Sequence, residues 1–327
     1  MKKVFTSICI ILCFSFFAVS EEGDNNSKSG FSYISSLGLQ IAPSYANETV
    51  NENKNRFAPI KGFGIPVPFG QFVVKYSIPL DLGSSIIFSD ANISFIAGPT
   101  LTPITFDNQL AVIFSPSPVM NFICGGTLGT GWNLAGNYGV ARYDEERELY
   151  EPSNPFSTWK YDFIMQANFQ FDFGFLFPGE WTHVLTMLSY TNKYEALTSV
   201  DNKEIWQWQG TFDNVNGWQY SLTFYLGYDL PKIIKRIGCS YTIAGHYDGN
   251  DYGDYNQAFD GNYVTKAFSL QLLIAGNKFN EFQISSSISS RRLYMDNSSN
   301  ISGKIKKYKV GDEWIFNGLV MQWAHYF

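Results

Sequence analysis

Histidine, cysteine, positive charge and long apolar runs are all scarce in this chain of 327 residues, which holds three histidines and four cysteines. After the first twenty residues no stretch has the roughly 18 consecutive apolar residues of a spanning helix. A mean hydropathy near zero agrees. A helical membrane protein is therefore excluded. Lys and Arg total 23 against 29 Asp and Glu, leaving a formal charge of −6. No basic stripe exists to neutralise phosphates, so nucleic acid is not an expected partner.

The first residues read as a targeting segment. Lys2 and Lys3 form a positive n-region, Val4 to Phe17 an apolar h-region, and Ala18-Val19-Ser20 a cleavage site. A signal peptide over 1–20 is expected, followed by a polar leader over 21–30 and one domain over 31–327. Cys13 is preceded by Leu12 where a lipoprotein needs a small residue. Cys9 and Cys13 leave with the signal. Cys124 and Cys239 fall in the apolar register of separate strands, which favours two small lipid-facing residues over a disulfide.

Aromatic residues are abundant, at 17% of the chain. They are also ordered. In Trp159 to Phe177, WKYDFIMQANFQFDFGFLF, positions 161, 163, 165, 167, 169, 171, 173 and 175 are all apolar. The interleaved Lys160, Asp162, Gln166, Asn168, Gln170 and Asp172 are polar. Successive strand side chains point to opposite faces, so this is a strand with one greasy and one wet face. A strand tilted across a bilayer needs about 9–11 residues and aromatic girdles.

The same alternation recurs along the chain. Strands are expected at Phe31 to Pro43, Gln71 to Leu80, Ala91 to Leu101, Gln109 to Phe114 and Val119 to Trp132, then at Trp159 to Phe177 and Trp181 to Tyr194. Further strands begin near Trp218, Ile237, Phe268 and Phe282, and Asp312 to Phe327 is the last. The facing of Trp181 to Tyr194 is ambiguous, because Val184, Leu188 and Tyr190 sit in one register and Leu185 and Met187 in the other. Short turns are expected at Ser115-Pro116-Ser117-Pro118, at Phe177-Pro178-Gly179-Glu180, around Asp229 to Arg236 and at Gly276-Asn277. They alternate with long loops at Leu134 to Thr158 (with its charged RYDEEREL run), Glu195 to Gly217, Tyr247 to Gly261 and Leu293 to Gly311. That sorting, with an even strand count, predicts an all-β, antiparallel up-and-down transmembrane β-barrel of about 12 strands.

The chain ends LVMQWAHYF, with Leu319, Met321, Trp323 and Phe327 in one register. This terminus resembles that of bacterial outer-membrane β-barrel proteins, although His325 stands where that class often has Tyr. The resemblance implies the outer membrane of a diderm bacterium as location. It makes Phe327 an assembly signal read by the barrel assembly machinery, and makes outer-membrane lipid and lipopolysaccharide partners.

Catalytic options are few. Length and strand number are similar to outer-membrane phospholipase A, but that family's His-x-Ser pair does not occur. Omptin-type proteases need Asp-x-His, and His246-Tyr247-Asp248 offers only the reverse order. An enzyme is not expected, nor a cofactor. Asp248, Asn250, Asp251, Asp254 and Asp260 crowd one loop, yet the calcium-loop pattern fails at Tyr252 and Phe259. That loop reads as solvated, with no metal, and so does the Lys304, Lys306, Lys307, Lys309 cluster. The lumen remains. Its expected lining is Lys75, Lys160, Asp162, Gln166, Asn168, Gln170, Asp172, Gln219, Tyr225, Glu281, Gln283 and Arg291, with Trp314, Phe316 and Tyr326 also turned inward. Both signs of charge appear, and twelve strands lie between filled and open barrels. The expected function is a narrow pore or transporter for small solutes. The alternative is a surface-exposed structural or adhesive barrel.

Overall fold

In the computed structural model, residues 29–45, 55–83, 88, 90–144, 149–177, 179–296 and 307–327 are described. The expected signal peptide, most of the leader, Lys304 and Lys306 lie outside them. Twelve strands form the wall: β1 (Gly30–Ile41), β2 (Val67–Pro79), β3 (Asn92–Leu101), β4 (Thr105–Ser117), β5 (Met120–Gly131) and β6 (Trp159–Asp172), then β7 (Val184–Leu197), β8 (Gly217–Asp229), β9 (Ile234–His246), β10 (Thr265–Asn277), β11 (Asn280–Asp296) and β12 (Lys307–Tyr326). Each pairs antiparallel with its sequence neighbour. β12 returns to β1, from Ile34 opposite Tyr326 to Ile41 opposite Leu319. The chain is a closed, antiparallel, up-and-down β-barrel of twelve strands. Closure matters because lipid offers no partner to an unpaired backbone group.

The exterior is the apolar register. Leu110 on β4 is 67% exposed, and Phe224 on β8 and Phe169 on β6 are each 50% exposed. Such a surface around a whole domain is stable only against acyl chains. β7 is no longer ambiguous. Leu188 and Tyr190 face out, and Ser189 is buried inside. Cys124 and Cys239 are free thiols, and both lie in the outward register.

Four expectations about the elements are corrected. β6 ends at Asp172, not Phe177, because the Asp172 carboxylate caps a one-turn 3₁₀ helix, Phe173–Phe175, accepting from Gly174 N at 2.8 Å. β4 runs through Pro116 to Ser117, and the ladder is irregular between Phe114 and Ser117 since Pro116 has no N–H. The β10–β11 hairpin turns on Lys278 and Phe279, two residues beyond Gly276-Asn277, with Asn277 opposite Asn280. β11 and β12 also continue through much of the expected final loop, pairing up to Asp296 and Lys307.

The fifth correction concerns facing. Trp314 and Phe316 are not inward. Ser287 pairs with Gly318 and Ile288 with Phe316, so β12 carries one extra residue there. A one-residue slip exchanges the faces of everything beyond it. Below the bulge Tyr326 is inward, its hydroxyl donating to Glu281 Oε2 at 2.8 Å. Above it, Asn317 joins Ser287 and Ser289 on the inner face, and Phe316 stands beside outward Ile288. Gly318 has φ +105°, and a Cβ there would lie 2.1 Å from the Ile41 carbonyl oxygen. Gly318→Val is expected to cost about 2 kcal/mol or more at the closing seam. A lowered unfolding midpoint in detergent, read from heat-modifiable gel mobility, checks it.

Above Ile41, β12 would present a bare edge, which sheets avoid. The first external loop covers it. Arg56–Phe57 pairs in parallel with Glu313 and Trp314, and the Tyr45 hydroxyl accepts from Phe316 N at 2.7 Å.

Candidate functional site

The candidate site is the lumen with the folded loops above it. Twelve strands spaced about 4.8 Å and tilted about 40° enclose a backbone cylinder roughly 24 Å across. Strand parity places the twelve expected residues opposite the exposed apolar register, at three levels.

Near the external mouth, β6 and β7 bring charges together. Lys160 Nζ lies 2.9 Å from Glu195 Oε1 and 3.1 Å from Asp162 Oδ2, and Lys193 Nζ lies 2.9 Å from Glu195 Oε2. Gln219 Nε2 donates to Glu195 Oε2 at 3.2 Å, and Thr127 N donates to Asp162 Oδ1 at 3.0 Å. Buried Asp107 on β4 completes the group. Two lysines against three carboxylates leave −1. Six strands away, Glu313 on β12 holds Arg56 at 2.8 Å and Arg291 at 2.6 Å, and two arginines against one carboxylate leave +1. The mouth thus carries a field across its diameter. Lys193, Asp107, Arg56 and Glu313 were missing from the expected set. Lys193 and Asp107 follow from strand parity once β4 and β7 are correctly bounded and faced. Arg56 and Glu313 do not, because a loop and a bulge place them.

The middle level is mostly uncharged. Gln166 donates to Asn168 Oδ1 at 2.8 Å, and Asn168 to Asn121 Oδ1 at 2.7 Å. Gln283 is buried opposite Gln322. Tyr225 lies flat along the wall. A Cβ on Gly238 would stand 2.2 Å from its hydroxyl, so glycine lets the ring keep out of the passage. Lys75, in the lower half of β2, has no ion pair among the described residues.

At the lower rim, Arg236 Nη2 donates to Asp229 Oδ2 at 2.7 Å, and Gln170 donates to the Pro118 carbonyl at 2.7 Å. Asp172 Oδ2 lies 2.7 Å from His183 Nδ1 in the neighbouring turn. That hydrogen bond raises the His183 pKa. A raised value means the pair stabilises the turn fully below about pH 6.5 and loses this as pH rises through the higher folded value. In a proton titration followed by NMR, Asp172→Asn is expected to bring the His183 midpoint down.

The external loops form a cap, although the acidic loop within it was expected to be solvated. Val140–Asp144, Leu149–Pro152, Trp206–Trp208 and Thr211–Asn214 make a four-stranded sheet. It is seated on the mouth, where Gln209 hydrogen-bonds Thr105 and Trp208 lies 5.5 Å from Lys160 Nζ. The acidic loop folds as a 3₁₀ helix, Gly249–Tyr255, and a helical turn, Asn256–Phe259, with Tyr252, Tyr255 and Phe259 buried beside Ile205 and Val215.

Asp213 fastens this sheet to the far wall. It accepts from Tyr150 at 2.8 Å and from Tyr294 at 2.9 Å, and it lies 3.3 Å from Lys307 Nζ. Lys309 pairs with Asp260 at 3.0 Å. The expectation of solvated lysines is corrected for Lys307 and Lys309, because each meets an acid carried by another loop. The alternating Trp206-Gln207-Trp208 and the loop tyrosines were the available sequence signals.

Among solved structures, the chain is similar to the NanC porin, with 8% identity, TM-score 0.39 and coverage of 89% of this chain and 98% of that one. It is similar to the KdgM porin at 7% identity and TM-score 0.36, covering 90% and 98%. An outer-membrane channel from Pseudomonas putida F1 gives 11% identity and TM-score 0.39, covering 94% and 98%. No family model matches the chain, and no curated protein matches its sequence. The fold rests on the strand register itself.

His325, expected to replace the more usual aromatic, packs its ring 4.4 Å from Phe327, and Phe327 N donates to the Tyr33 carbonyl at 3.0 Å. The terminal residue is thereby tied to β1, the partner that closes the barrel.

Proposed function

We propose that the protein is a passive channel for small solutes in the outer membrane of a diderm bacterium. One observation carries this reading. At mid-depth Gln166, Thr223, Ser240, Thr242, Ser269 and Ser285 on the inner face are partly accessible, while the outer face of the same strands is aliphatic and aromatic. A barrel filled to exclude solutes would bury that inner register, as small barrels do. The paired charges at the mouth argue for weak ion selectivity. Reconstitution in planar bilayers is the test. Discrete conductance steps are expected, and their absence with correctly folded barrel would overturn the reading.

A non-catalytic role fits the histidines. His183 and His246 face Asp172 and Asp251, and His325 faces Asn280, none beside a serine. Should any hydrolase activity be measured, His246→Ala is expected to leave it intact. The cap, with its own buried core, favours a second reading as a surface-exposed binding barrel. Deleting residues 198–216 and finding matrix binding unchanged would remove it.

A further inference from the structure

The two halves of the inner wall differ in chemistry at mid-depth. On β1 to β4 the aliphatic and aromatic inward side chains Ile34, Phe69, Val73, Ile96 and Ile113 are partly accessible, and Gln71 and buried Ser94 are interleaved with them. Ile34 stands opposite Val73, Ile96 opposite Ala111 and Ile113 opposite Ile123, with Ser94 on the other side of Ile113. Beside Ile113 on the same inner face, Ala111, Ile123 and Ile164 pack as a buried cluster that carries the apolar surface on to β5 and β6.

The facing arc, β8 to β11, presents Thr223, Thr242, Ser240, Ser269, Ser285 and Ser287, also partly accessible. They too are neighbours. Thr223 bonds Thr242 at 2.9 Å, and Ser240 stands opposite Ser269, itself opposite Ser287. In a ring of twelve strands, the centres of the two arcs lie across the lumen from each other. Among the described residues, the one charged residue of either arc at this level is Lys75, which stands opposite Ile96.

From this sidedness, and resting on the channel reading above, we infer that the passage selects uncharged solutes having one apolar face and one hydroxylated or amide face. Such a molecule leaves water on the aliphatic side and exchanges hydrogen bonds on the other. A solute hydroxylated all round leaves donors unpaired against the isoleucines, which is costly. A charged solute loses hydration in a zone where Lys75 is the one charged group.

The test is uptake into proteoliposomes, corrected for empty vesicles. Isopropyl thiogalactoside has an apolar end and a hydroxylated face. Glucosylglycerol is of similar size but hydroxylated throughout, and glucuronate is charged. Isopropyl thiogalactoside is expected to enter about threefold faster than glucosylglycerol, near the transfer preference of one methylene group, with glucuronate slowest. Val73→Thr with Ile113→Thr is expected to abolish the preference, with heat-modifiable gel mobility showing that the barrel is folded. Thr242→Val with Ser269→Ala on the opposite arc is expected to slow glucosylglycerol further. Equal rates for the two neutral solutes, or faster glucosylglycerol, through a conducting barrel would overturn the inference alone. A folded barrel that neither conducts nor takes up any probe would overturn the channel reading, and this inference with it.

Discussion

Replacing Asp213 by alanine is expected to release the cap from the tips of β11 and β12. The carboxylate is the one acid among the phenols of Tyr150 and Tyr294 and the cations of Lys307 and Arg292, and the Tyr252 hydroxyl donates to its backbone carbonyl at 3.0 Å. Removing one member of a buried ion pair leaves the other uncompensated, a loss of about 3–5 kcal/mol. Because the wall pairs strand to strand, that loss falls on the cap and not on the barrel. Rapid proteolysis within residues 198–216 is expected, with heat-modifiable gel mobility of the barrel retained.

The pH dependence has a definite sign. Burial pushes the Asp213 carboxyl up, but Lys307, Arg292 and the hydroxyls of Tyr150 and Tyr294 outweigh it and hold it below the ordinary range. A depressed value contributes stability that is complete above the unfolded value of about 4 and is lost only as pH falls through the lower folded one. Cap proteolysis should therefore be unchanged from neutrality to mild acid and rise only in strong acid. Asp213→Asn should remove that dependence. A cap that loosens between pH 7 and 5 would contradict this account.

Lys160→Met is expected to have the second large effect. Lys160 lies between Asp162 and Glu195 with its side chain 11% exposed, and Asp107 stands close by. Without it, one lysine faces three carboxylates, and the local charge moves from −1 to −2. A unit charge about 4 Å away is worth about 1 kcal/mol even in water-like surroundings, a factor of roughly five in local cation concentration. Reversal potentials under a salt gradient should move toward cation selectivity by about that factor. Arg291→Met on the opposite wall should move them the same way, since it also removes a positive charge, but with Arg56 still on Glu313 the shift should be smaller. Equal selectivity in all three proteins would show that the mouth charges do not face the permeating ions.

The alternation of Trp159 to Asp172 was legible because strand facing is a local property with a period of two, independent of which strands are neighbours. Strand number followed from the sorting of connections by length, for turns such as Ser115 to Pro118 announce themselves through residues lacking a donor. The facing of Trp314 and Phe316 was not legible. It depends on one extra residue, Asn317, beside Gly318; the glycine hints at a bulge, but which residue is extra is set by Ser287 and Ile288 on another strand. Asp213 gave no signal either. Its partners Tyr150, Tyr294 and Lys307 stand 63, 81 and 94 residues away in sequence.

By itself, the sequence determined that this chain surrounds an enclosed interior with an apolar coat, because alternation and an even number of strands leave no other way to satisfy every backbone group in lipid. Only the tertiary structure decided that aliphatic side chains gather on one side of the interior and hydroxyls on another, that its mouth carries opposed charges, and that the loops join above it. Those features arise from residues brought level by register around a closed ring, and register is set by pairing between strands.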